Sequence, residues 1–273
     1  MAGTLRITTR NAAFQQWQAM LTNRAKRQRA GEFVVQGVRP ISLAVRHGWP
    51  VRALLHDEDR PLSSWGRELL GAVDATRVAM APELLRELGG KDDEPPELVA
   101  VVELPADRLD RIPASPDMLV VVFDRPTTPG NIGTLVRSAD AFGAAGVVVT
   151  GHAADPYDPR AVRASTGSIF ALPVVRAARH TDVLAWAAAL PPAPVIVGAD
   201  EHGELDVDVA DLTGPTLLLI GNETHGLSAG WRQACSEVVR IPITGAASSL
   251  NAAAAGTVLL YEAARQRADL ARR

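Results

Sequence analysis

The 273 residues, 47% hydrophobic and 22% charged, are enough for one large domain or two ordinary ones and describe a globular chain rather than a disordered one. A net charge of −3 excludes a uniformly basic nucleic-acid binder, and the longest apolar runs, such as 118–123 and 216–220, are strand-length and too short to span a membrane. A single cysteine, Cys235, excludes an intrachain disulfide, and no apolar core follows the charged stretch 1–10, so no secretory signal is visible and the cytoplasm is the expected location.

In chain order, residues 14–30 read as a helix, 32–36 as a strand, 38–47 as a helix and 51–56 as a strand. Residues 62–72 and 82–88 read as helices and 98–103 as a closing strand, giving a small α/β domain over 1–105. Pro105, Pro113 and Pro116 punctuate the next stretch and predict a linker over 106–117. From 118 onward strands and helices alternate. Residues 118–124 form an apolar run typical of a strand buried on both faces, and 131–142 read as a helix stopped by Gly143. A strand at 146–150, a helix at 159–165, a short strand at 172–175 and a helix at 181–190 capped by Thr181 follow. Strands at 195–199, 216–220 and 238–243 precede an Ala-rich helix over 251–269. The alternation implies a second α/β domain, 118–273, built on a parallel sheet.

Charge is unevenly spread. From the start to Arg52 nine basic residues face one acid, Glu32, while acids gather in Asp57-Glu58-Asp59, Asp92-Asp93-Glu94 and the stretch 200–211. A local basic face can therefore bind phosphate on a mildly acidic molecule.

The chemistry-bearing motifs sit where strands end. Pro129-Gly130-Asn131-Ile132-Gly133-Thr134-Leu135-Val136-Arg137 opens a helix, with Asn131 at its head and Arg137 about two turns in. Ile220-Gly221-Asn222-Glu223-Thr224-His225-Gly226-Leu227-Ser228 follows a buried strand, placing Glu223 where α/β sheets gather ligands. Ile241-Pro242-Ile243 and Ser248-Ser249-Leu250-Asn251 complete the set. Each has a bland reading too: Asn131 and Asn251 as helix caps, Arg137 as a surface arginine, Glu223 as an acid favoured by a helix dipole. The six histidines lack metal-site spacing, and no Gly-x-Gly-x-x-Gly run follows a strand.

Together these motifs resemble the three signatures of the SpoU/TrmH class of SPOUT methyltransferases, which methylate the ribose 2′-hydroxyl of RNA from S-adenosyl-L-methionine. The resemblance covers 120–265, and more weakly 23–103, where Asn23-Arg24-Ala25-Lys26-Arg27 and Gly31-Glu32-Phe33-Val34-Val35-Gln36-Gly37 are similar to the class's substrate-binding domain. It implies a C-terminal SPOUT domain with a deep trefoil knot beside the N-terminal RNA-binding α/β domain. It further implies a catalytic set of Asn131, Arg137, Glu223, Ser249 and Asn251, with Glu223 orienting the arginine. A bent cofactor would lie against Val197, Gly198, Ile220, Gly221, Asn222, Gly226, Ile241 and Leu250. RNA would meet Arg24, Lys26, Arg27, Arg29, Arg160, Arg163 and Ser165. A homodimer is implied through the helix after motif one and the C-terminal helix, where Val258, Leu259 and Tyr261 form an apolar stripe that core packing explains equally well. Neither a metal nor a membrane is expected. Two departures stand out: Gln36 where members often carry an acid, and Ala252-Ala253-Ala254-Ala255 where many continue with valine and serine.

Methyl transfer needs positioning first and support for a developing alkoxide second. An arginine is never a free base, so Arg137 would bind RNA phosphate and stabilise the oxyanion. The expected substrate is large-subunit ribosomal RNA. Transfer RNA, ribosome modification for antibiotic self-resistance, and a non-catalytic RNA-binding assembly factor remain the alternatives.

Overall fold

The computed structural model describes residues 4–89 and 96–272; the acidic run Asp92-Asp93-Glu94 lies outside the described residues. The first ten elements are β1 (Leu5–Ile7), α1 (Ala12–Thr22), α2 (Arg24–Ala30), β2 (Glu32–Gln36), α3 (Val38–Arg46), β3 (Val51–Asp57), α4 (Ser64–Ala72), β4 (Thr76–Met80), α5 (Pro82–Gly89) and β5 (Leu98–Glu103). Their strands form a five-stranded sheet in the order β1-β4-β3-β5-β2. β1, β4 and β3 run parallel, while β5 is antiparallel to both β3 and β2. Phe14, Met20, Leu55, Val78, Leu85 and Val101 are buried together in its core.

Two features depart from the expected pattern here. The helix expected over 14–30 is two helices, because the Asn23 side chain accepts from the Lys26 amide at 3.2 Å and caps α2 from an extended backbone. β1 and β4 were not anticipated: each is short and carries an arginine, Arg6 and Arg77, so neither shows a long apolar run.

The chain continues through β6 (Leu119–Asp124), α6 (Pro129–Ala141), β7 (Gly146–Thr150), α7 (Pro159–Ser165), β8 (Val174–Ala177), α8 (His180–Ala188), β9 (Val195–Ala199), β10 (Leu205–Asp206), β11 (Thr216–Ile220), α9 (Ala229–Ala234), β12 (Glu237–Arg240) and α10 (Ala252–Ala271). The seven strands form a wholly parallel sheet in the order β10-β12-β9-β11-β6-β7-β8. Register pairs Ile220 with Phe123 and Phe123 with Val149, so β11, β6 and β7 end at one level. Ligand-gathering loops of a parallel sheet belong at that edge. Over it α10 packs on α6 and β11. Gly256 makes the approach possible: a Cβ there would sit 2.4 Å from Leu135 Cδ1. β12 stops at Arg240, short of the expected 243, where Pro242 has no N–H for a ladder. α8 starts at His180 after an uncapped Arg179, so Thr181 is inside the helix and not its cap.

The division between domains is corrected at two places. Chain packing yields one unit ending at Pro105 but including Tyr157–Ala171, and a second containing Ala106–Pro156 and everything from Leu172. The expected linker 106–117 is part of the second unit: Ile112 is buried in its core, and Arg111 Nη1 donates to the Val174 carbonyl at 3.2 Å. The segment Tyr157–Ala171 serves the first core. Phe33 meets Tyr157 with ring centroids 5.0 Å apart, Trp49 stands edge-on to Phe170 at 5.0 Å, and Trp49 Nε1 donates to the Phe170 carbonyl at 3.1 Å.

Candidate active site

α6 begins with Pro129 at its first position after Thr128, so Asn131 sits inside the first turn and does not cap the helix. Its side chain turns across the sheet edge instead. Asn131 Nδ2 donates to Glu223 Oε1 at 3.0 Å, and Asn131 Oδ1 accepts from Asn251 Nδ2 at 3.2 Å. Glu223 Oε2 also accepts from the Thr127 amide and hydroxyl, both at 3.1 Å, and Oε1 from the Thr128 amide at 3.4 Å. Burial alone would raise this carboxyl, but hydrogen bonds from Asn131 and Thr127 hold it below the usual glutamate value. Glu223 is therefore an ionised acceptor near neutral pH, favourably placed at the start of α6. Asn251 does cap α10, its Oδ1 accepting from the Ala253 and Ala254 amides at 3.0 and 3.3 Å. The three side chains form one chain tying the loops after β6 and β11 to the head of α10.

Glu223 makes no direct contact with Arg137 among the described residues: its carboxylate accepts from Thr127, Thr128 and Asn131. Arg137 is exposed on α6, and among the described residues it has no hydrogen bond or ion pair and does not line the adjoining cleft. Six residues at about 100° each carry it roughly a third of a turn around the helix from Asn131.

That cleft, of about 400 Å³, opens at the ends of β9 and β11 and under the loop after β12. Of the expected cofactor contacts, Ile220, Gly221, Asn222, Gly226, Ile241 and Leu250 line it, as does Ser249. Val197 and Gly198 do not. Val197 is fully buried within β9, and a Cβ on Gly198 would lie 2.6 Å from Cys235 Sγ and 2.8 Å from Leu227 Cδ1. β9 reaches the cleft one residue later, through Ala199 and Asp200, followed by Glu201 and His202, with Arg232 arriving from α9. The sequence shows Asp200 only as the start of an acidic stretch, yet it follows the end of β9 much as Glu223 follows the end of β11. Burial would raise its carboxyl, but the His202 amide at 2.9 Å and an ion pair with Arg232 hold it below the usual aspartate value. Gly221 has no room for a side chain, since a Cβ would fall 2.4 Å from the Gly226 carbonyl carbon. Asn222 and Gly226 close the turn through reciprocal 3.0 Å backbone hydrogen bonds, with Gly226 at φ +62°.

In the first unit, Arg24, Lys26 and Arg29 of α2 are exposed, as expected of a phosphate-binding face. Arg27 is corrected: it is 1% exposed, its Nη1 donates to the Met20 carbonyl, and its charge acts on Asp158. Ser165 is corrected as well, being fully buried with its hydroxyl donating to the Val162 carbonyl at 2.7 Å. Arg160 is exposed but paired with Asp158, Nε to Oδ1 at 3.0 Å. Arg163 is exposed and donates to Gln36 Oε1 at 3.2 Å, so the unusual Gln36 supplies a neutral acceptor where an acid would neutralise the guanidinium. Arg39, missed in the sequence, donates from Nε to the Thr166 carbonyl at 3.2 Å. Among the described residues no group of three or more His, Cys, Asp or Glu side chains could hold a metal. Burial raises the Cys235 thiol, which bonds the Trp231 carbonyl at 3.2 Å.

Sequence profiles match in the same two blocks: the SpoU L30e-like domain over residues 11–100 and the SpoU rRNA Methylase family over residues 118–261. The chain is 63% identical over 265 residues to the 23S rRNA (uridine(2479)-2′-O)-methyltransferase of Streptomyces viridochromogenes, a match spanning 96% of this chain and 92% of that protein. It is similar to the crystal structure of the SpoU methyltransferase AviRb from Streptomyces viridochromogenes in complex with the cofactor AdoMet, with a TM-score of 0.92 and 63% identity over 95% of this chain and 99% of that one. An AdoMet-bound rRNA methyltransferase from Sinorhizobium meliloti matches with a TM-score of 0.85 and 29% identity over 96% of this chain and 98% of that one.

Proposed function

The chain belongs to the SpoU rRNA methylase family, and from that membership we propose that it transfers a methyl group from S-adenosyl-L-methionine to a ribose 2′-hydroxyl of 23S ribosomal RNA. The observation that carries the reading is the meeting of the Glu223–Asn131–Asn251 chain with the cleft at the ends of β9 and β11. At 63% identity to a uridine-specific relative, a uridine is the nucleoside we infer.

The cleft suits the donor. Ile220, Ile241 and Leu250 offer apolar surface to a purine, and Gly221 leaves backbone room. When bound, S-adenosyl-L-methionine supplies a sulfonium-activated methyl. The protein's own groups do the rest. Glu223 fixes Asn131 and the head of α6, which sets the face of the helix that carries Arg137. Arg137, exposed and without an intramolecular partner among the described residues, is the group we assign to the RNA phosphate and to the oxyanion that forms as the 2′-hydroxyl loses its proton. Ser249 lines the cleft, and Asn251 is tied to the Glu223 chain through Asn131. Arg24, Lys26, Arg29, Arg160 and Arg163 are the assigned phosphate contacts.

Two wider features belong to the proposal. A deep trefoil knot is supported by chain routing: β12 lies beyond β9 from β11, and α10 then returns to α6 and β11. A homodimer through α6 and α10 is supported by Tyr261, 56% exposed, with Phe142 edge-on to it at 5.9 Å, and by Val258. Leu259 is fully buried in its own protomer and drops out of that stripe. No described helix is long and apolar enough to cross a membrane, and we place the enzyme with the ribosome in the cytoplasm.

The deciding experiment incubates purified protein and tritiated S-adenosyl-L-methionine with unmodified 23S rRNA, then maps 2′-O-methylation by primer extension at limiting nucleotide. One ribose methyl at a single position is expected, absent with Arg137→Ala. Tight RNA binding with no methyl incorporated would favour the assembly-factor reading instead.

A further inference from the structure

The loop that carries Gly221, Glu223 and Gly226 is held from behind by a network at the end of β6. We propose that Asp124 and Arg125 are positioning residues that set this loop's shape for the methyl donor, an inference that rests on the methyl-transfer reading above. Asp124 is 2% exposed. Its Oδ1 accepts from the Thr150 hydroxyl at 3.1 Å, while its Oδ2 accepts from the Ser228 amide at 2.8 Å and from Arg125 Nε at 3.1 Å. Thr150 is itself fixed by Trp231 Nε1, which donates to its hydroxyl oxygen at 3.2 Å. One buried carboxylate thus joins β6, β7 and the end of the loop at Ser228.

Arg125 carries the connection forward. Its Nη2 donates to the Gly226 carbonyl at 3.1 Å, and its own carbonyl accepts from Asn222 Nδ2 at 2.7 Å. Asn222 Oδ1 in turn accepts from the Thr224 and His225 amides at 2.9 and 3.0 Å. The loop is therefore gripped at Asn222, Gly226 and Ser228 by two consecutive residues of another strand end. Arg125 does this from φ +52°, a left-handed conformation that a residue with a Cβ rarely adopts. Glycine would occupy that backbone without strain but could not reach Gly226. The strain and the two-ended grip occur at the same residue, beside the cleft, where stored strain tends to serve a site.

Two variants separate a positioning role from mere packing. Arg125→Gly removes the guanidinium and relieves the backbone. Arg125→Lys keeps the charge and the strain but offers one ammonium, which cannot span from the Asp124 carboxylate to the Gly226 carbonyl. Thermal melting, titration with S-adenosylhomocysteine and amide hydrogen exchange are read on the full-length protein. Both variants are expected to melt cooperatively and to bind S-adenosylhomocysteine about tenfold more weakly, as fits the loss of one charge-assisted hydrogen bond. Exchange should accelerate in 221–228 by about tenfold while β6, β7 and β11 keep their protection. Folded variants with wild-type affinity and wild-type loop protection would overturn the proposal. So would loss of protection across the whole sheet, or loss of the melting transition in both variants, since either makes Arg125 a general support of the fold. Should the wild-type protein bind no S-adenosylhomocysteine, the methyl-transfer reading fails while the exchange comparison still decides what Arg125 does to the loop.

Discussion

Glu223 accepts from four donors, the Thr127 amide and hydroxyl, the Thr128 amide and Asn131 Nδ2, and a glutamine in its place would turn an NH2 toward some of them. Glu223→Gln therefore does more than delete a charge: it sets donor against donor at the junction of β11 and α6. We expect a stability loss of about 1–2 kcal/mol at pH 7 by chemical denaturation, the size of a charge-assisted bond replaced by a mispaired group. The pH dependence has a definite sign. The carboxyl is lowered in the folded protein, so its contribution is complete above the ordinary glutamate value and fades as pH falls through the folded one. The gap between wild type and Glu223→Gln should thus be widest near neutrality and shrink in acid below about pH 4. A gap that stayed constant down to acid would show that the carboxylate is not what Asn131 and Thr127 hold. Arg137 contrasts with this residue, being exposed and unpaired among the described residues, so its replacement should leave stability unchanged while methyl transfer falls.

At the scale of elements, what the sequence announced was the ends of buried strands. β6, β9 and β11 are apolar runs whose last residues lead into polar loops, so Asp124, Ala199 and Ile220 mark the site edge without any contact being known. What stayed hidden were contacts set by tertiary direction. A helix-start asparagine reads as a cap wherever it stands, yet Asn131 points across to Glu223 because Thr128 already begins the helix. Arg27 and Ser165 sit in polar, basic stretches and look solvated, but the helices turn both inward. Asn251 satisfies both readings at once, as a cap for α10 and as the donor to Asn131. Replacing it with alanine should cost about 1 kcal/mol of stability from the lost cap. Asn251→Ser, which caps but cannot reach Asn131, should recover most of that stability and little of the turnover. Equal rescue of melting temperature and methyl transfer by serine would reduce Asn251 to a cap alone.

At the scale of the whole molecule, the division into two domains was legible but its membership was not. A short helix with two exposed arginines carries no mark of which core it serves, and α7 falls in sequence among strands of the second sheet. Its neighbours decide the matter. Tyr157 is 1% exposed and Phe170 3%, and both pack on Phe33 and Trp49, which residues 1–105 alone would leave facing water. An exposed aromatic cluster of this kind costs each ring about 1.5–3 kcal/mol of burial, a large share of the stability of a domain this size. The fragment 1–105 expressed alone should accordingly give poorly dispersed amide spectra and a broad melt. The same fragment joined to 157–171 through a flexible glycine–serine linker should give a dispersed spectrum and a sharp transition, because the missing segment supplies both rings and the carbonyl that Trp49 Nε1 bonds. If 1–105 melts as sharply and at the same temperature without the added segment, the aromatic contacts are dispensable and the first core is complete as the sequence alone would draw it.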